Sequence, residues 1–157
     1  MSVNTGKVTG RRELHFQSLA ELLAEAEALV ASPTTNMLGN WPLEKILMHL
    51  TIPINDSIDG IDFQRTWKHK LMGLLLKRIL LKKLSAGFKL PQDIEAKMYP
   101  DAPSAAAALE KLKTAVARLK TEKMTAIHPI LGKLTHEEWI QLHLRHGELH
   151  LSFALPK

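Results

Sequence analysis

Apolar residues recur at helical spacing in four separated stretches of the chain. In "SLAELLAEAEALVAS", Leu19, Leu22, Leu23, Ala26, Leu29 and Val30 share one face. Ser18 and Glu21 stand before them in capping-box spacing, and Pro33 follows, so a first helix ends near Ser32-Pro33. A second stripe, Leu43, Ile46, Leu47 and Leu50, starts after Pro42, a residue suited to a first helical turn because its missing N–H costs nothing there. Pro53 sits inside this helix, where it removes the hydrogen bond to the His49 carbonyl, so a kink or loosened turn beside His49 is expected. From Ser104 onward Leu109, Leu112, Val116 and Leu119 form a third stripe with lysines opposite. Thr135 and Glu138 make another capping box and open a last helix, expected to run to about Ala154.

Between the second and third stripes lie two segments of different character. "TWKHKLMGLLLKRILLKKL" is a basic helical candidate, and "SAGFKLPQDIEAKMYPDAP" (85–103), with three prolines, is expected to be a long irregular connection. The first dozen residues are polar and are expected to be flexible. With hardly any strand signal, the pattern predicts an all-α protein: an antiparallel four-helix bundle with an additional basic helix between the second and third main helices, forming one domain over 1–157.

Charge and composition narrow the function. The net charge of +5 is concentrated: seven Lys/Arg and no acidic residue lie between Arg65 and Lys83. The leucines between them fit a helix that covers the bundle with its lysines snorkelling, and no nucleic-acid motif accompanies them. The competing reading of 65–83 is a binding module for acidic lipid or nucleic acid. Without cysteine there is no thiolate nucleophile and no Cys-ligated zinc, so any metal must be held by histidine, carboxylate or water. No uncharged apolar run approaches the roughly 20 residues of a membrane helix, and no signal-peptide core is visible at the N-terminus; a cytoplasmic location is expected.

"LHLRHGELHLSF" (142–153) carries three of the eight histidines. At about 100° per residue, His143, His146 and His150 share an inward face with Trp139 and Phe153, while Glu137, Gln141, Arg145 and Glu148 lie opposite. One inward histidine is most simply a core residue with satisfied nitrogens; three compete for the same partners, and a divalent cation would satisfy several lone pairs at once. His146 and His150 are four apart and can chelate one ion. His49 is the natural third ligand, although the wheel puts it on the flank of its apolar stripe, nearer Lys45 than Leu47. "HGELH" departs from the zincin pattern, which has glutamate where Gly147 stands.

The combination of "WPLEKILMHL" with "HGELH" resembles the DinB/YfiT-like superfamily, over essentially the whole chain. Segments such as "RRELHF" and "GFKLP" look like a bacterial branch of it with unassigned function. The resemblance implies a four-helix bundle holding a divalent metal through His49, His146 and His150. It also implies, for some members, transfer of low-molecular-weight thiols to electrophiles, so a small molecule, a thiol among the candidates, is the expected partner. Zn²⁺ and Ni²⁺ both suit imidazole. His143 is expected to stand behind the ligands, and Asp56, seven residues after His49, is a weak candidate base. The expected function is thus a divalent-metal-dependent small-molecule enzyme. The alternatives are a non-catalytic metal-stabilised structural or dimerisation protein, a homodimer among them, and the binding module on 65–83.

Overall fold

A computed structural model describes residues 3–87 and 104–157. Among the described residues the chain is mostly helical: α1 (Leu19–Ala31), α2 (Leu43–Asp59), α3 (Trp67–Lys82), α4 (Ala105–Arg118) and α5 (His136–Leu151). Their starts follow from side-chain chemistry. Ser18 Oγ accepts from the Glu21 N–H at 3.2 Å, Ser104 Oγ from Ala107 at 3.2 Å, and Thr135 and Glu138 cap each other reciprocally. In α3 the capping acceptor is an imidazole, His69 Nδ1, which takes the Thr66 N–H at 3.1 Å.

The stripes read from the sequence meet in one core. Leu22, Ala26 and Leu29 of α1, Leu47, Leu50 and Ile54 of α2, Leu112 and Ala115 of α4, and Trp139 and Leu151 of α5 are all nearly inaccessible to water. Helix α2 lies along α4 and also touches α5; α1 packs on α4 and α5; α3 packs chiefly on α5. Close approach is set by two glycines. A Cβ on Gly147 would collide with the buried Leu22 side chain, and one on Gly73 would collide with the Ile130 backbone carbonyl.

Some expectations need correction. Helix α5 ends at Leu151, not Ala154; the chain then turns and pairs β4 (Ala154–Pro156) antiparallel with β1 (Thr35–Met37). A second two-stranded ladder joins β2 (Ile127–His128) to β3 (Gly132–Lys133). The N-terminal segment bonds to the rest of the chain from residue 3: the Val3 N–H donates to Asn40, the Arg11 guanidinium to Leu149 O and Ser152 Oγ, and Arg12 to Ala154 O. The Arg11 and Arg12 side chains thus bond to the end of α5 and the turn after it. The C-terminal half of the α5 face opposite the histidines is covered, whereas Glu137 and Gln141 are exposed: Arg145 is buried, donates to Phe16 O at 2.8 Å and pairs with Glu148 at 3.0 Å. Finally, α3 buries only part of its leucine stripe: Leu81 joins the core and Met72 and Leu80 pack against it, while the rest of the stripe faces outward. Gly73 and Leu81 are buried, whereas Trp67, Leu71, Leu74, Leu75 and Ile79 are exposed. The connection expected over 85–103 lies, beyond Gly87, outside the described residues.

Candidate metal centre

His49 comes from α2, His146 and His150 from α5. The flank position that the wheel gave His49 turns out to be an interior one. Helix α2 is enclosed on two sides, by α4 and by α5, so the arc beside its main stripe also meets a neighbour, and His49 is only 5% exposed. Helix α2 continues through Pro53 to Asp59. The proline still leaves the His49 carbonyl without its usual N–H donor.

The three rings form a compact triangle with centroids 4.5–4.8 Å apart. His49 Nε2 and His146 Nε2 stand 3.0 Å apart, and one ligand nitrogen from each of the three histidines falls within 4.8 Å of the other two. Nitrogens held at about 2.0–2.1 Å by one tetrahedral ion stand roughly 3.4 Å from each other, so a shift of about an ångström in the rings meets that geometry. Protonation favours the same use. Burial, and then the neighbouring imidazoles, hold His146 well below the ordinary histidine range; burial, His49 and Arg11 do the same for His150. Both are therefore neutral at physiological pH, with a lone pair to offer a cation.

A cavity of about 950 Å³ opens beside this triangle. Its walls are mainly apolar, including Ile46, Ile61, Leu80, Leu131 and Phe153, and Asp56 and Lys83 reach it as polar groups. Trp139, His143, His146, His150 and Phe153 all line it, in agreement with the inward face read from the last helix. His143 is not part of the triangle. It is 3% exposed and stacks on Trp139 with centroids 5.5 Å apart; its Nε2 has no hydrogen-bond partner among the described residues. Burial lowers its pKa to about 3.

Two further residues belong to the site and were missed or set aside in the sequence. Trp41 stacks almost parallel on His150, 5.6 Å between centroids, and meets His49 edge-on at 4.9 Å. The signal for it was its place two turns before His49, immediately ahead of the helix. His128 lines the cavity against Trp139, and its Nδ1 accepts from the Ile130 and Leu131 N–H groups, which leaves Nε2 as the protonated nitrogen. Of the remaining histidines, His69 caps α3 and His15 lies 3.0 Å from an Arg145 guanidinium nitrogen.

Comparison with known proteins adds a family and no more. No curated protein and no solved structure matches the chain. Residues 8–157, all but the first seven positions, match the family described as protein of unknown function (DUF1569), and to that family the chain belongs.

Proposed function

We propose that this protein is a divalent-metal-dependent enzyme for a small molecule, with His49, His146 and His150 as the protein ligands. The observation that carries the reading is the three-imidazole triangle, built from two helices with His49 and His146 97 positions apart, and facing a cavity. Three imidazole ligands leave further coordination positions free, the arrangement of catalytic rather than structural zinc. A bound ion would supply Lewis acidity, lowering the pKa of a thiol or water or polarising an electrophile.

The chain's own residues account for the rest. Trp41 holds the planes of His49 and His150. The aliphatic walls exclude water from the substrate, and Asp56, a carboxylate lining the same cavity, is the candidate to take a proton from it. We assign the reaction as transfer of a low-molecular-weight thiol to an electrophile, and the scaffold as an antiparallel four-helix bundle of α1, α2, α4 and α5. The support for the reaction is the sequence resemblance to the DinB/YfiT-like superfamily; the support for the bundle is the mutual packing of those four helices. The test is a thiol-conjugation screen on protein loaded with Zn²⁺ or Ni²⁺, with metal content measured in parallel. Metal-dependent conjugation that disappears in His49→Ala is the expected result. Stoichiometric metal without turnover of any thiol would leave a metal-stabilised structural protein as the answer.

A further inference from the structure

We infer that α3 is a docking surface for an anionic membrane, on which the helix lies flat. No helix among the described residues is long and apolar enough to cross a bilayer, so the contact is peripheral. Trp67, Leu71, Leu74, Leu75 and Ile79 are exposed, with Trp67 at 69% and Leu74 at 79%. At about 100° per residue they occupy one arc of the helix, opposite the buried Gly73 that seats α3 on the β2–β3 turn. Lys68, Arg78 and Lys82 project from the same arc, with Lys70 at its edge; all four are exposed and have no acidic partner among the described residues.

An arc of leucine, isoleucine and tryptophan with interleaved cations is the chemistry of an interfacial helix: the apolar groups enter the acyl boundary while the cations meet lipid phosphates. The same charges argue against the other occupants. A two-fold contact between copies of this chain would bring Lys68, Arg78 and Lys82 against their own like charges. A nucleic acid would engage the cations and leave four aliphatic side chains in water. The inner side of α3 bears on the site: Leu76, Ile79, Leu80 and Lys83 line the cavity, and Ile79, exposed as well, stands at its mouth. A docked α3 thus sets the cavity entrance beside the headgroups.

Co-sedimentation of the full chain with vesicles tests this, using phosphatidylcholine alone and phosphatidylcholine with about one-third phosphatidylglycerol. Expected are binding to the anionic vesicles only, a fall in binding when salt rises from about 0.1 to 0.5 M, and quenching of Trp67 fluorescence by brominated acyl chains, absent in Trp67→Phe. Leu74→Glu/Leu75→Glu should abolish binding, and Lys68→Glu/Arg78→Glu/Lys82→Glu should weaken it at least tenfold, both with unchanged circular dichroism and metal content. No binding to anionic vesicles, or equal binding to both kinds, overturns the inference. So does a concentration-dependent dimer dispersed by Leu74→Glu/Leu75→Glu. The quenching measurement on the unaltered protein decides the matter even where a variant fails to fold.

Discussion

An imidazole is a ligand only while its lone pair carries no proton, and burial favours that state at His146 and His150. Removing one member of the triangle leaves two nitrogens and a partly apolar gap, so His49→Ala or His146→Ala should reduce bound Zn²⁺ at least tenfold, measured by equilibrium dialysis. His143→Ala should have a smaller effect, and His69→Ala none, because His69 serves the α3 cap. Equal metal in wild type and His146→Ala/His150→Ala would refute the ligand assignment. The same burial makes the metal-free protein sensitive to acid. Burial, aided by the Arg65 charge, pushes His128 down to about 4; burial, aided by His128, pushes His143 down to about 3. Above about pH 6.5 both groups are neutral in the folded and the unfolded chain, and neither affects the balance. As pH falls below that value the unfolded chain takes up protons that the folded one refuses, and stability is lost down to the folded pKa values. Each group contributes about 1.4 kcal/mol per pH unit across this window. Urea midpoints in chelator should therefore fall steeply from pH 6.5 to 4, and less steeply in His128→Gln.

At the level of elements, helices were legible because each carries a repeating stripe and a start signal that needs no partner to be recognised. Leu22, Ala26 and Leu29, or Leu109, Leu112 and Val116, meet the core as their spacing requires. The two ladders were not legible: strands of two or three residues have no period to detect, and β1 and β4 pair residues over a hundred positions apart. The N-terminal strap escaped for a related reason. Arg11 and Arg12 read as solvated, yet their partners are carbonyls and a hydroxyl at the far end of the chain. Glycines mark where elements approach most closely. Alanine is the better helix former by about 1 kcal/mol, but at Gly147 its methyl meets Leu22, itself 1% exposed and unable to move aside. Gly147→Ala should lower stability by about 1–3 kcal/mol, the usual cost of overpacking. Gly73→Ala meets a backbone carbonyl and should loosen α3 from the β2–β3 turn. Hydrogen exchange should then rise in α3 while α2 and α4 stay protected, and uniform protection would show that the seat of α3 lies elsewhere.

Across the whole molecule, the candidate site joins elements that the chain itself keeps apart. The pair on the last helix could be read locally, since four residues make one turn. The third ligand could not be placed without knowing that α2 is covered on two flanks, one of them by α5. This arrangement couples metal binding to folding: an unfolded chain separates His49 from His146 by 97 positions, so only the folded state presents three nitrogens together. A ligand that binds the folded state alone adds about 2.7 kcal/mol at a free concentration one hundred times its dissociation constant. For a chain of this size each kcal/mol moves the melting temperature by about 2–4 °C. Saturating Zn²⁺ or Ni²⁺ should thus raise Tm by roughly 5–10 °C by calorimetry, and chelator should reverse the gain. His49→Ala and His146→Ala/His150→Ala should each lose it, the one by cutting the link from α2 and the other from α5. A rise of equal size in His49→Ala would mean that the last helix binds the ion alone, and that the metal does not tie the two helices together.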